Sequence, residues 1–295
     1  MTFVAILIAH PDSSVLTQVL ARNAQAALGA SAPHWLSEGE ACEFALPSGL
    51  RNAEAEHALR SVVDGAPIDV AVISAANRRK RLLIADMDST IIGQECIDEL
   101  ADEVGLKEKV ASITERAMRG EIAFEPALRE RVALLAGLEE TVIARILDQR
   151  IHLASGARAL VATMRASGAW TMLVSGGFEA FTKPIATRVG FDEQQANRLL
   201  TENGHLSGQV AEPILGRAAK AAALDAAVKR LGLDPKDTLA VGDGANDLDM
   251  IGAAGLGVAI HAKPAVAQAA PVRIDHGDLT ALLFLQGYRR SDFRA

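Results

Sequence analysis

Residues 81–93 read RLLIADMDSTIIG. Leu82 to Ala85 form an apolar run with no polar face, which predicts a strand buried on both sides. Two carboxylates follow at once, Asp86 and Asp88, with Met87 between them. Carboxylates rarely go fully inside a protein unless they are paired. In open parallel sheets, however, ligands bind just outside the carboxyl ends of the strands, so this position makes the two aspartates candidates for chemistry. Side chains alternate along extended backbone, so Met87 points away from its neighbours and can be apolar.

Downstream, strands and helices alternate. AWTMLVSGG (169–177) reads as a strand ending in glycines, AKAAALDAAVKRLG (219–232) as a helix, DTLAVGDG (237–244) as a strand ending in Asp and Gly, and LGVAIHA (256–262) as another strand. VRIDHGDLTALLFLQGY closes with a short strand and a helix. Near-continuous apolar strands alternating with helices predict a doubly wound parallel α/β sheet. Between its first two strands, roughly residues 94–150, only helical periodicity appears. That block is too long for a crossover and predicts an inserted helical cap. Residues 82–93 and 152–295 are therefore expected to form the core domain and 94–151 the cap.

Residues 1–76 read differently. FVAILIA (3–9) and IDVAVIS (68–74) are strand-like, residues 13–28 and 52–65 are helical, and HWLSEGEACEFAL (34–46) holds one or two strands. The order β-α-β(β)-α-β suits a small α+β domain with helices on one face of a mostly antiparallel sheet. Residues 77–81, NRRKR, read as a solvated linker.

Three strand ends converge on one sheet edge: Asp86-Met87-Asp88-Ser89-Thr90, Ser175-Gly176-Gly177, and Gly242-Asp243-Gly244-Ala245-Asn246-Asp247. Any one alone could be a helix cap and its turn. Together they put Asp86, Asp88, Asp243 and Asp247 in one pocket, where like charges raise one another's pKa. A divalent cation relieves that crowding, and an all-oxygen site suits Mg²⁺. Ser175 and the N–H groups of Gly176 and Gly177 can hold phosphate oxygens. Lys220 is the candidate cation for the same phosphate, although a solvated helix lysine is the commoner case. The chemistry that fits is phosphoryl transfer.

Composition agrees with a soluble, non-nucleic-acid-binding protein. The chain has 295 residues, 49 % apolar and 23 % charged, with a formal charge of −7. It lacks the basic face that nucleic acid needs. No apolar run is long enough to span a membrane. The two cysteines, Cys42 and Cys96, have no metal-type spacing, which suits a reducing, cytoplasmic setting. His152 reads as structural and His261 as a residue of the pocket rim.

DMDST, SGGF, the lysine before the third strand and GDGANDLDM resemble, in order and spacing, the four motifs of the haloacid dehalogenase superfamily. Within it, residues 80–287 are similar to the phosphoserine phosphatases, which also carry the glutamate of GQECIDELA and the cap pattern of FEPALRERV (Phe124 to Val132). The resemblance implies hydrolysis of O-phospho-L-serine, the last step of L-serine biosynthesis. It implies Asp86 as nucleophile, forming an aspartyl-phosphate, and Asp88 as general acid, then base. It implies Mg²⁺ held by Asp86, the main-chain carbonyl of Asp88 and Asp243, with Asp247 close by. Ser175, Gly176, Lys220 and Asn246 would contact the phosphate, Glu95 the substrate ammonium and Arg131 its carboxylate, while Phe124 would help to exclude water. Residues 1–76 loosely resemble ACT regulatory domains, which implies a possible homodimer. Amino-acid-binding ACT domains carry glycine where this chain has AHPDSSVL, so dimerisation or structural support fits this segment at least as well as serine binding.

Overall fold

A computed structural model of the chain describes residues 2–118 and 121–295. The first strands and helices are β1 (Phe3–Ala9), α1 (Gln18–Leu28), β2 (His34–Ser37), β3 (Ala41–Ala45), α2 (Asn52–Val63) and β4 (Ile68–Ser74). The strands pair antiparallel in the order β2-β3-β1-β4, so residues 34–46 hold two strands. Thr17 caps α1 by accepting from Leu20 N–H at 3.2 Å. Strand alternation divides β1 between two cores. Ala5, Leu7 and Ala9 pack under the helices with Ala21, Leu28, Ala55 and Leu59. Ile6 and Ile8, on the other face, join the large cluster that holds Phe284, Leu285 and Tyr288 near the C-terminus. Both faces are thus covered, which is why FVAILIA has no polar alternation.

The next segment, NRRKR, is solvated at Asn77, Arg79 and Arg81 but not at Arg78 and Lys80. Arg78 donates to Glu43 at 2.8 Å and to the carbonyls of Phe284 and Leu285. Lys80 is buried, with its ammonium 2.6 Å from the Lys236 carbonyl. Arg79 stacks 4.0 Å above the Tyr288 ring. Arg78 and Lys80 thus lay long basic side chains along apolar surface, end on carbonyls and fasten the junction, while Arg79 and Arg81 stay exposed.

The second sheet is parallel and six-stranded: β5 (Leu82–Ala85), β6 (Trp170–Phe178), β7 (Glu193–Asn197), β10 (Thr238–Gly242), β11 (Leu256–Ile260) and β12 (Val272–Ile274), in the order β12-β11-β10-β5-β6-β7. The chain runs one way from β5 to β7 and the other way from β10 to β12. The switch point therefore lies between β5 and β10, where such sheets bind ligands. Between β5 and β6 come α3 (Cys96–Glu103), α4 (Lys107–Met118), α5 (Phe124–Ala133) and α6 (Thr141–Gln149), then α7 (Ala157–Ala166), which leads into β6. The excursion has a narrow neck: Gly93 N–H meets His152 O at 3.2 Å, and Ala154 N–H meets Ile91 O at 2.9 Å. The remaining helices are α8 (Glu179–Val189), α9 (Arg217–Leu231), α10 (Leu248–Ala253), α11 (Pro264–Ala269) and α12 (Ala281–Leu285).

The sequence reading left residues 178–216 unassigned. They contain α8, β7 and a hairpin of β8 (Leu199–Glu202) and β9 (His205–Val210). β7 reads EQQAN, without apolar alternation, so its strand state comes from pairing with β6. The hairpin reaches the helical excursion, where Leu206 exchanges backbone hydrogen bonds with Gly137 and Leu138 at 2.8 Å. Among the described residues no helix is long and apolar enough to cross a membrane.

Candidate active site

A cavity of about 310 Å³ opens at the carboxyl ends of β5, β6 and β10, beneath α3 to α5. Of the residues expected there, Asp86, Asp88, Glu95, Phe124, Arg131, Ser175, Gly176, Gly177, Asp243 and Asn246 line it. Lys220 and Asp247 do not. Both are fully buried behind the wall, which overturns the surface-lysine alternative for Lys220.

The backbone after β5 is tightly wound. Asp86 N–H continues the ladder to Val241 O at 3.0 Å, while the N–H groups of Thr90, Ile91 and Ile92 all fold back to Met87 O. Ser89 has a φ of 54°, a left-handed conformation uncommon outside glycine, and its hydroxyl donates to Glu95 at 2.7 Å. This turn presents both aspartates on one side. Asp88 is held by Cys96 N–H at 2.8 Å, at the start of α3, and by the Ser175 hydroxyl at 3.0 Å.

The β6 end carries an irregularity just before α8 begins at Glu179. Its register against β7 jumps from Val174 opposite Gln195 to Phe178 opposite Asn197, a bulge that swings Ser175–Gly177 towards the cavity before the strand resumes. Gly177 N–H donates to Ser175 Oγ at 2.8 Å, which ties the glycine to the serine hydroxyl at the cavity wall. A Cβ at Gly177 would come 2.8 Å from Asp88 Oδ2 and 3.0 Å from Ser175 Oγ, so only glycine permits this approach.

Behind the cavity, the carboxylates of Asp86, Asp243 and Asp247 each offer an oxygen within 4.8 Å of the others. Lys220 Nζ lies 2.7 Å from Asp86 Oδ1 and 2.6 Å from Asp247 Oδ1. Asp247 Oδ2 accepts from Gly244 N–H at 3.0 Å, and Asp243 accepts from the Thr90 hydroxyl at 3.2 Å. Burial lowers the pKa of Lys220, but the two carboxylates outweigh it and hold the ammonium protonated, above its ordinary value. Asp86 is pushed well up, first by burial and then by the charge of Asp247. Asp243 is pushed up to about 6 by burial and by Asp247. One ammonium cannot neutralise three carboxylates, so the cluster has the donor atoms and the surplus negative charge of a divalent-cation site.

The opposite wall comes from the helical excursion. Glu95 opens into the cavity. Burial of its carboxyl and the charge of Asp88 push that carboxyl up to about 7. Arg131, half-buried, is oriented by Thr114 Oγ1 and the Ala127 carbonyl, both at 3.2 Å. Burial lowers its pKa, while Glu95, Asp98 and Asp88 offset this. Phe124 covers Gly176 and Gly216.

Sequence reasoning missed several contributors. Arg217 and Lys263 line the cavity; Arg217 is paired with Asp249. Buried Asn197 donates to the Gly176 and Leu215 carbonyls at 2.8 and 3.1 Å and accepts from Leu215 N–H at 2.6 Å. It thereby stitches the β6 bulge to the segment before α9. Nothing in the local sequence marks Asn197, since its role depends on chain far from it. His261 contacts the Gly277 carbonyl through Nε2 at 2.8 Å.

A phosphoserine phosphatase of Albidiferax ferrireducens is 48 % identical over 210 residues, covering 70 % of this chain and 89 % of its own. One from Streptomyces coelicolor is 40 % identical over 257 residues, covering 86 % of this chain and 62 % of its own. The chain thus spans about three fifths of that longer relative, and 58 % of a Mycobacterium tuberculosis phosphoserine phosphatase. A solved haloacid dehalogenase family hydrolase from Salmonella enterica superposes with a TM-score of 0.86 at 27 % identity, over 96 % of this chain and 98 % of that one. The family model for haloacid dehalogenase-like hydrolases matches residues 83–251, from inside β5 to α10. With more than half its length accounted for by that one model, the chain belongs to the haloacid dehalogenase-like hydrolases.

Proposed function

We propose that the chain is a Mg²⁺-dependent phosphoserine phosphatase that hydrolyses O-phospho-L-serine to L-serine and phosphate. The observation that carries this reading is the two-sided cavity. Asp86, Asp88 and Ser175 stand on the sheet side, and Glu95 and Arg131 stand on the helical side. The spacing of a phosphate from an amino acid's ammonium and carboxylate calls for such opposed walls.

Asp86 attacks phosphorus and displaces the serine oxygen, forming an aspartyl-phosphate. Splitting one difficult displacement into two steps is the gain of covalent catalysis. Asp88, held by Cys96 N–H and Ser175, gives its proton to the leaving oxygen and later takes one from the attacking water. Ser175, Gly176 and Asn246 contact the phosphate. Lys220 keeps Asp86 in place from behind. Asp86, Asp243 and the main-chain carbonyl of Asp88 would hold the Mg²⁺, with Asp247, engaged by Lys220 and Gly244, supporting them. Bound there, the ion offsets negative charge on the transferring phosphoryl group. Glu95 pairs with the substrate ammonium and Arg131 forks onto its carboxylate, while Phe124 limits water entry.

The same reading divides the chain into residues 1–76, a linker at 77–81, a core of 82–93 and 152–295, and a cap of 94–151. The first segment is ACT-like in its β-α-β-β-α-β order, and its role is dimerisation or structural support; a homodimer follows from the resemblance, and a cytoplasmic location from the two free cysteines. Phosphate release from a panel of small phosphorylated amino acids and sugars, with Mg²⁺ and then with EDTA, tests the proposal. Phosphoserine is the preferred substrate and EDTA stops turnover; a sugar phosphate preferred over phosphoserine, or turnover indifferent to EDTA, overturns it.

A further inference from the structure

Asp69 lies in β4 of the N-terminal sheet and is only 4 % exposed. It has no cationic side chain bonded to it among the described residues. Its carboxylate instead enters a nest of consecutive backbone donors in the loop after β12. Asp275 N–H meets Oδ1 at 2.7 Å, His276 N–H lies 3.2 Å from both oxygens, and Gly277 N–H meets Oδ2 at 2.7 Å. Such nests bind anions, and here the anion is supplied by a strand some two hundred residues away in sequence. The fit is close: a Cβ at Gly277 would stand 3.2 Å from Asp69 Oδ2.

The nest is one step from the catalytic edge. Gly277 carbonyl is bonded by His261 Nε2 at 2.8 Å, and His261 N–H donates to Ile274 O at 2.8 Å. His261 sits at φ 44°, in the left-handed region, so its backbone depends on these tethers. Two residues on, Lys263 lines the cavity, and its N–H approaches the Asp243 carbonyl at 3.4 Å. Asp243 and Glu95 line the same cavity, and the charge of Lys263 favours the ionised form of both.

We propose that Asp69 is a positioning residue: by holding the 275–277 loop it fixes His261, and through His261 it sets Lys263 at the rim of the cavity, where the ammonium draws in the anionic substrate. The N-terminal sheet thereby takes part in substrate capture without touching substrate. Asp69→Asn keeps the shape but replaces one acceptor oxygen with an amide that faces N–H donors.

This inference rests on the phosphatase reading, so two readouts keep the two apart. Hydrogen exchange on the full chain needs no turnover. In Asp69→Asn, amides of 275–277 and of 261–263 are expected to exchange faster, with those of β5 unchanged. Faster exchange confined to 275–277, or unchanged exchange, overturns the coupling. Wild-type phosphoserine turnover, measured alongside, tests the phosphatase reading by itself. In steady-state assays, Asp69→Asn and Lys263→Met are each expected to raise KM several-fold with kcat within about twofold. The double variant is expected to be no worse than the poorer single one. Effects that multiply would mean that Asp69 acts by some other route and would sink the proposal. Should Asp69→Asn not fold, His261→Asn, too short to reach Gly277, reads the same link. A raised KM that does not multiply with Lys263→Met supports it, and an unchanged KM overturns it.

Discussion

Lys220 places its ammonium 2.7 Å from Oδ1 of Asp86, and its side chain has no exposed surface. Taking away one partner of a buried ion pair leaves the other charge uncompensated. Lys220→Met is therefore expected to lose on the order of 3–5 kcal/mol of stability at neutral pH. The loss should shrink at pH 5, where the orphaned carboxyl of Asp86, already pushed up by burial, takes up a proton. Urea unfolding at both pH values checks this, and equal losses would contradict it.

Glu95 must be ionised to pair with an ammonium, and its carboxyl is pushed up to about 7. The KM for phosphoserine should therefore fall as pH rises and level off above the inflection. Water in the open cavity and a bound cation both favour the ionised form, so the inflection lies at or below pH 7. Glu95→Gln is expected to flatten the profile. A wild-type KM constant from pH 5 to 8 would remove Glu95 from substrate binding.

Arg131 is aimed by Thr114 and by the Ala127 carbonyl. A lysine there keeps the charge and loses the fork. Arg131→Lys is expected to raise KM for phosphoserine about 10–100-fold, the loss of one charge-assisted hydrogen bond of roughly 1.5–3 kcal/mol. Hydrolysis of a phosphomonoester without a carboxylate should change little. An equal loss on both substrates would mean that Arg131 supports the fold of the helices instead of reading the carboxylate.

Gly177 leaves no room for a methyl group beside Asp88 and Ser175. Gly177→Ala must displace one of them, and a misplacement of around 1 Å at a reacting group costs about 10²-fold in rate. A large fall in kcat with an unchanged circular dichroism spectrum is the expected result. Full activity would show that the β6 bulge can move without consequence.

Much of this was legible in the sequence, for reasons that differ by residue. Asp86, Asp88 and Asp243 stand immediately after apolar strands, so the sheet-edge rule locates them without knowledge of packing. Lys220 was harder, yet the signal existed. The buried residues of its helix are Lys220, Ala223, Leu224, Ala227 and Val228, so the lysine falls in step with the apolar stripe at i, i+3, i+4, i+7 and i+8. Asp69 and Asn197 could not be found this way, because what makes them special is a set of backbone donors and acceptors from distant chain. The NRRKR stretch misled at Arg78 for the opposite reason. Its charge looks solvent-bound until the carbonyls at the end of α12 and Glu43 are seen beside it.

The two-sided burial of the N-terminal sheet has a practical outcome for anyone shortening this protein. Beginning expression at residue 77 would pull Ile6, Ile8 and Ala71 out of the cluster that holds Phe284, Leu285 and Tyr288. The fragment would present a greasy, unshielded slab to water and would be expected to clump before any catalytic difference could be read. A swinging, detachable sensor is equally hard to build from such a sheet, since every outward swing would have to wet the same slab. Trimming experiments on this chain will report on solubility first, and point substitutions that leave the slab covered are the cleaner tool.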